Sequence, residues 1–195
     1  METVIKILAF ILIAIIAWRL IRMLSTPIFK LLGLYTYYSP TFFLHKLTPR
    51  LYEIHIGTTW DYIRMNKISP KVFLLNMSEG MVKMVKDIEA GKIHPESKIV
   101  GSIHYFNPTT TEKFGFRHRN MNLFEILLFV LSYIETTVLL SITYGRPMLP
   151  RLLNTRIHYA KAKDLVEFKD TYIAYHTRFS RSAKMHEEAD LHHSA

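Results

Sequence analysis

Three short segments of the chain carry a histidine in the same local pattern, and they hold most of the residues that could do chemistry. The histidines are His55, His104 and His158, and an isoleucine precedes each of them. Alternating polar and apolar residues predict a β-strand in each segment. Because successive side chains of a strand point to opposite faces, each histidine is expected on the face opposite its isoleucine. In one sheet the three histidines would share a face, which could be solvated, could line a binding groove or proton-transfer site, or could hold a metal ion.

Two further candidates follow the first of these strands, just after Gly57. Thr58 and Asp61 have the spacing of a capping box, in which a hydroxyl and a carboxylate bond the free amides around a helix start. The same amides could instead bind an anion, although the chain has no glycine-rich phosphate loop and no paired-glycine dinucleotide fingerprint. The candidate binding residues are therefore His55, Thr58, Asp61, His104 and His158. No catalytic residue is assigned, and whether the protein is an enzyme stays open.

A basic cluster with interleaved aromatic residues precedes a long apolar segment. Its cations are Lys113, Arg117 and Arg119, and its rings are Phe114 and Phe116. Cations mixed with rings suit a lipid headgroup, while a solvated basic loop is the simpler alternative.

Composition restricts the other kinds of site. The chain has no cysteine, which excludes disulfides, thiolate metal sites and thiol nucleophiles. The histidines near the end, His186, His192 and His193, fit no defined metal site, so no metal and no cofactor is predicted. The net charge of +9 favours anionic lipid headgroups as a partner, and the chain carries no motif for nucleic acid.

The element that must position these residues is an apolar stretch at residues 4–24. Twelve apolar residues run without a break from Ile7 to Trp18, and a helix over residues 4–21 would extend about 27 Å, close to the thickness of a hydrocarbon core. A cleaved signal would need small residues where this chain has Arg19 and Arg22. The pattern predicts a single transmembrane anchor, and the basic residues after it place the carboxy-terminal part in the cytoplasm.

The remaining chain divides into a juxtamembrane segment, a domain and a tail. Ser25-Thr26-Pro27 predicts a new helix start. Five aromatic rings between Tyr35 and Phe43 form either an interfacial belt on the bilayer or part of a core. The predicted organisation is an anchor at 1–24, an aromatic and basic juxtamembrane segment at 25–50, an α/β domain at 51–180 and a disordered tail at 181–195.

The predicted fold class is α/β, with an N-terminal transmembrane helix and about three strands covered by helices on one face. The strands are expected at 51–57, 98–106 and 154–161, and the main helices at 70–90 and 164–180. Segment 121–144 is long enough to cross a membrane, but its polar residues form a narrow stripe and both flanks are basic. We predict that it does not cross, and that it either packs between the sheet and other helices or lies half sunk in the membrane surface.

These features indicate a single-pass membrane protein facing the cytoplasm. The predicted function is that of an α/β accessory or binding protein that contacts lipid headgroups or a lipid-linked substrate. Its expected partners are membrane lipids and other membrane proteins. The alternative is an enzyme acting at the membrane surface on a lipid or phosphate-bearing substrate, which a deep pocket with converging polar groups would favour.

Overall fold

The computed structural model of the 195-residue chain describes residues 2–65, 69–102, 108–150 and 155–193. The helices are α1 Glu2–Leu31, α2 Thr59–Arg64, α3 Pro70–Glu89, α4 Pro108–Glu112, α5 Leu123–Tyr144, α6 Ala162–Val166 and α7 Lys169–His193. The strands are β1 Tyr35–Tyr37, β2 Phe42–Thr48, β3 Leu51–Ile56, β4 Lys98–Ser102, β5 Arg117–Asn120 and β6 Arg156–Lys161.

The strands form one mixed sheet in the order β1-β2-β3-β4-β6-β5. Strands β3 and β4 are parallel and are connected through α2 and α3, whereas every other neighbouring pair is antiparallel. The predicted α/β class is confirmed, but the sheet has twice the expected number of strands. The two strands β1 and β2 lie in the predicted juxtamembrane segment, and β5 has the sequence RHRN, which carries no apolar signal.

The hydrophobic core lies between one face of this sheet and three helices. The sheet contributes Phe42, Leu44, Tyr52, Ile54, Ile99 and Ala160. The helices α3, α6 and α7 contribute Met77, Met81, Met84, Val85, Ile88, Leu165 and Tyr172. The methionine face of α3 therefore packs as core, and its start at the Ser69 cap and Pro70 agrees with the sequence pattern.

The first helix differs from its prediction at its carboxy-terminal end. α1 continues through Ser25 and Pro27 to Leu31, so the predicted new helix start is wrong. The chain then turns at Gly33, whose φ of 70° favours glycine. Of the five aromatic rings that follow, Tyr38 and Phe42 are buried in the core, as the core alternative predicts. Phe43 is also buried, but on the other face of the sheet.

The apolar helix α5 is not packed between the sheet and other helices, so that expectation is wrong. It contacts α3, and Phe129 and Leu140 are buried. Seven of its large apolar side chains are exposed, including Ile134 at 78%. Its stretch Leu123–Ser141 is, by length and composition, long and apolar enough to cross a membrane.

The carboxy-terminal helical region also departs from the prediction. It is divided into α6 and α7 around Phe168, and Asp164 lies inside α6 rather than at its cap. The backbone of α7 is helical to His193, within the segment from residue 181 for which the sequence predicts a disordered tail.

Candidate functional site

The face of the sheet opposite the core carries a cluster of two histidines and a glutamate on β2 and β3. His45 lies directly opposite Glu53, and Phe43 lies directly opposite His55, in the antiparallel register of the two strands. Glu53 and His55 are two residues apart on β3, so their side chains share this face. The backbone pairing therefore brings His45, Glu53 and His55 together.

The three side chains are close enough to act on one ligand. One potential ligand atom from each of them lies within 4.8 Å of the other two. The closest contact joins His55 Nε2 to Glu53 Oε2 at 3.0 Å, and these side chains are 25% and 35% exposed. The cluster is thus open to water while its backbone is fixed by the sheet.

Aromatic rings support both histidines. The His55 ring stacks on Phe43 at 5.1 Å, and the His45 ring meets Tyr35 edge-on at 4.9 Å. Phe29, near the end of α1, packs edge-on against Tyr35 at 5.8 Å. The last turns of α1 therefore contact the same aromatic group that supports the histidines.

The candidates Thr58 and Asp61 form a helix cap. The backbone N–H and the hydroxyl of Thr58 both donate to Asp61 Oδ2 at 2.8 Å, and the Asp61 N–H donates to Thr58 Oγ1 at 3.3 Å. Tyr37 also donates its hydroxyl to Asp61 Oδ2, at 2.9 Å. Burial, together with the charge of Asp61, raises the pKa of Tyr37 well above its usual range. The cap thus satisfies the amides of Thr58 and Asp61, as the capping-box alternative predicts.

His158 does not share a face with His55. It pairs with Gly101, two residues from Ile99, and therefore points into the core, where it is buried. Ile157 lies on the open face instead, so the predicted common histidine face is wrong. His158 and His55 face opposite sides because the pairing of the strands decides which residue of each alternating pair faces the helices. The sequence did not reveal this pairing. His104 lies outside the described residues.

The core position makes His158 an uncharged histidine. Burial, with a smaller contribution from nearby His118, lowers the pKa of His158 to about 4. Its Nδ1 is buried and has no hydrogen-bond partner. Such a group is a component of the core that resists protonation, rather than part of an open binding face.

Two cations of the basic cluster, Arg117 and Arg119, lie on the edge strand β5, whereas Lys113 lies in the turn that follows α4. The two rings, Phe114 and Phe116, are buried in the core. Lys113, Arg117 and Arg119 are all exposed. Arg119 donates to Glu125 at the start of α5, with Nη1 and Oε2 2.7 Å apart. Arg119 therefore lies beside the first turn of the apolar helix.

The crevice that the described residues form is apolar and does not include the candidate residues. It lies on the core side of the sheet and is lined by Phe42, Ile54, Ile56, Met77, Met81, Thr111, Phe114 and Phe116. Thr111 is the single polar residue among them, so the crevice offers no set of converging polar groups.

Comparison with protein-family models, curated proteins and solved structures gave no match to this chain. The assignment of function therefore depends on the geometry of the chain itself. Sequence reasoning named His55 but missed His45, because it did not predict β2. The turn residues Pro49 and Arg50, between the aromatic-rich segment 42–48 and the predicted strand at 51–57, were the available signal for this hairpin.

Proposed function

We propose that this protein is a membrane-bound α/β module that crosses the bilayer once through α1 and also contacts its cytoplasmic surface through α5. It would serve as an accessory or binding protein for a membrane process, with anionic lipid headgroups as its first partner. The observation that carries the proposal is the position of α5 in the sequence. This helix, with its exposed apolar face, connects β5 to β6, and these two strands are hydrogen-bonded neighbours in the sheet.

The pairing of β5 with β6 argues against a crossing by α5. Asn120 at the end of β5 lies opposite Arg156 at the start of β6, so the chain leaves and re-enters the sheet at the same place. A single crossing between these strands would put them on opposite sides of a bilayer. A return crossing would need a second helix of about 20 residues, and residues 145–155 contain Pro147 and Pro150 and are too few for it.

The chain that follows α5 runs back along the helix. Met148 donates its N–H to Ser141 Oγ at 3.0 Å, and Tyr133 donates its hydroxyl to the carbonyl of Pro150 at 3.1 Å. An extended chain inside hydrocarbon would leave backbone groups without partners, at a cost of several kcal/mol each. A helix and return segment that lie together in the surface layer avoid this cost.

The exposed apolar residues of α5 occupy one side of the helix. They are Leu123, Phe124, Leu127, Leu128, Val130, Ile134 and Val138. At 100° per residue they fall within an arc of about 160°. Phe129 and Leu140, the buried pair, lie outside this arc on the opposite side of the helix. A helix that rests on its own protein and presents an apolar face outward suits the boundary between headgroups and acyl chains.

The hydroxyl side chains of α5 are compatible with low-dielectric surroundings. The hydroxyls of Ser132, Thr136, Thr137 and Ser141 each donate to the backbone carbonyl four residues earlier, at 2.7–3.0 Å. These bonds satisfy the donors without water, as hydroxyl residues in membrane helices do. The arrangement supports a site for α5 in the membrane surface.

The first helix has a different exposure pattern, which supports the crossing role. Its exposed apolar residues, among them Val4, Phe10, Ile13 and Trp18, are distributed around the whole circumference of the helix. A helix that is apolar on all sides needs a core or a bilayer around it, and only the carboxy-terminal end of α1 reaches the sheet within the described residues. The net charge of +9 and the cations after α1 favour a cytoplasmic sheet domain.

The test uses single cysteines, which this chain allows because it has none of its own. Glu2→Cys, Lys113→Cys, Arg146→Cys and Lys92→Cys variants are labelled with a membrane-impermeant maleimide in intact cells and in inverted membrane vesicles. We expect Lys92, Lys113 and Arg146, the last at the far end of α5, to label from the cytoplasmic side. Position 2 should label from the other side.

Two outcomes would contradict parts of this proposal. Labelling of Arg146 from the side opposite to Lys113 would mean that α5 crosses the bilayer. Labelling of positions 2 and 92 from the same side would mean that α1 does not cross the bilayer. Lys92 is the matched control, because it follows α3 in the sheet domain. Its side chain is exposed and donates a hydrogen bond to Asp87.

An enzyme acting at the membrane surface is the second candidate, and the cluster of His45, Glu53 and His55 is the observation that favours it. The apolar crevice and the shallow position of the cluster favour the binding module instead. Reconstituted protein incubated with labelled phospholipids separates the two. Conversion of the labelled phospholipids by the parent protein, with loss of this conversion in His55→Ala, would support the enzyme.

A further inference from the structure

We infer that His45, Glu53 and His55 form a binding site for a divalent transition-metal ion of the zinc class. The inference is independent of the proposed membrane function, since it concerns only the open face of β2 and β3. It begins from the composition of the cluster, two imidazoles and one carboxylate. Such a ligand set suits zinc, cobalt and related ions, whereas magnesium and calcium prefer oxygen ligands throughout.

The distances in the cluster are close to those that a metal ion requires. With metal–nitrogen and metal–oxygen distances near 2.0–2.2 Å, tetrahedral ligand atoms lie about 3.4 Å from one another. Here the three candidate atoms lie within 4.8 Å, and His55 Nε2 and Glu53 Oε2 are already 3.0 Å apart. The difference between 4.8 Å and about 3.4 Å is small compared with the distance that a ring or carboxylate moves when its side chain rotates.

The scaffold holds these side chains on a rigid part of the fold. His45 and Glu53 are direct partners across β2 and β3, and both strands are inside the sheet rather than at its edges. Phe43 stacks on the His55 ring with an interplanar angle of 14°, while Tyr35 contacts the His45 ring at 89°. Two imidazoles with restricted rings lose little freedom on binding an ion, which favours affinity.

A simple ion pair accounts for only part of this arrangement. A Glu53–His55 pair explains the 3.0 Å contact, but it does not require a second imidazole whose ring centre is 6.1 Å from that of His55. The partial exposure of Glu53 and His55 gives an ion a route from solvent. An open zinc site has three protein ligands and a remaining position for water, whereas a closed structural site has four protein ligands. The three ligands of this cluster match the open type.

The test measures metal binding by the full chain purified in detergent and treated with a chelator. Every protein tested carries alanine at positions 186, 192 and 193, because the imidazoles near the carboxy terminus would otherwise compete for the ion. Zn²⁺ affinity is measured by competition with a chromophoric chelator, and Co²⁺ absorption reports the ligand geometry. We expect one equivalent of Zn²⁺ to bind, with no response to Mg²⁺ or Ca²⁺.

The variants His45→Ala, His55→Ala and Glu53→Gln should each weaken Zn²⁺ binding by at least about tenfold, since even the outer partners of metal ligands contribute 10–100-fold. The matched control is His94→Ala, an exposed histidine whose Nδ1 accepts only the Glu96 N–H in the described structure; it should bind Zn²⁺ like the parent. Glu53→Gln keeps the side-chain volume, so loss of binding with an unchanged circular dichroism spectrum is specific. A parent that binds no Zn²⁺, or variants that bind it as the parent does, would overturn the inference.

Discussion

Asn120 and Arg156 are direct partners in the antiparallel pairing of β5 and β6, although the whole of α5 lies between them in the sequence. The pair closes a loop that contains α5 and the exposed apolar face of that helix. Wherever α5 lies relative to a membrane, the chain after it must return to the position of Asn120 in the sheet. The pairing of Asn120 with Arg156 therefore restricts the ways in which α5 can lie in or across a membrane.

A disulfide between these two positions should form in the native membrane-bound protein. Directly opposed residues of an antiparallel pair have Cα atoms about 4.5–5.5 Å apart, within the range that a disulfide bridges. We expect Asn120→Cys/Arg156→Cys to crosslink rapidly when membranes are treated with a mild oxidant. The measurement is the mobility shift on a non-reducing gel, after the chain is cleaved between the two cysteines.

The matched control is Asn120→Cys/Lys161→Cys. Lys161 is at the other end of β6, about 17 Å away along the strand. This pair should not crosslink under the same conditions. Crosslinking of the control at a similar rate, or no crosslink in the test pair, would mean that β5 and β6 are not paired in the membrane.

The outward face of α5 should hold the protein on a bilayer even without α1. The chain beginning at Thr26 is expected to float with anionic liposomes, because α5 still presents its apolar arc. Replacing Leu127 or Ile134 with Asn should weaken this binding by about tenfold or more, since a buried side chain of this size contributes about 1.5–3 kcal/mol. Binding should also weaken as salt rises, because nearby cations contribute about 1 kcal/mol each at low ionic strength.

Ile173→Asn provides the comparison for this experiment. Ile173 is an exposed large apolar residue on α7, and its substitution changes the same side chain away from α5. It should leave liposome binding unchanged. Equal losses in Ile134→Asn and Ile173→Asn would show that α5 has no special role, and full solubility of the shortened chain at low salt would refute a second membrane contact.

The parts of the fold that could be predicted from the sequence are those with a strong local signal. Helix α3 was correctly bounded because Ser69 and Pro70 start it and Gly91 follows its end, with the methionines at helical spacing. Strands β3 and β6 were found from their alternation. The capping box at Thr58 and Asp61 was likewise correct, since its two residues are three positions apart and need no tertiary information.

The features that were missed depend on which strands pair. Phe42 and Phe43 belong to β2, but beside an apolar anchor their aromatic sequence is equally compatible with a membrane surface. His158 and His55 occupy equivalent positions in their strands, yet only the register reveals that they face opposite sides. The cluster of His45, Glu53 and His55 joins two strands, so no spacing within one segment could identify it.

Substitution of Gly80 should destabilise the domain, because this residue allows α3 to approach the sheet. A Cβ at this position would overlap the ring of Phe42, which is itself almost completely buried. We expect Gly80→Ala to lower the free energy of unfolding by about 1–3 kcal/mol, the usual cost of overpacking. The measurement is chemical denaturation followed by circular dichroism.

Two further variants check the cause of this loss. Gly91→Ala is a control for introducing alanine without a clash, since nothing lies within 4 Å of its added Cβ, although its positive φ brings a backbone cost of its own. Phe42→Leu combined with Gly80→Ala should lose less stability than the sum of the two single changes, because the smaller side chain relieves the overlap. Strict additivity of the two changes would contradict the proposed contact.

The buried His158 should make the protein less stable as the pH falls from about 6.5 to about 4. Its pKa in the folded state is about 4, below the value near 6.5 of a histidine in an unfolded chain. Between these values the unfolded state binds a proton that the folded state excludes, so stability rises with pH through this window and is independent of this group above it. By pH 5 the loss attributable to His158 should be about 2 kcal/mol relative to neutral pH.

His158→Phe tests this assignment, because it keeps an aromatic ring in the core and removes the titrating group. The free energy of unfolding is measured for both proteins between pH 4.5 and pH 7.5, and the quantity compared is its slope against pH rather than its absolute value. We expect the slope of the variant between pH 5 and pH 6.5 to be smaller. Carboxylates such as Glu96, whose pKa is lowered to about 2 by Lys161 and Lys163, contribute mainly below pH 4.5 and so affect both proteins alike. Equal slopes for the two proteins would mean that His158 is protonated as readily in the folded protein as in the unfolded chain, and that it is not the buried neutral group that the core position implies.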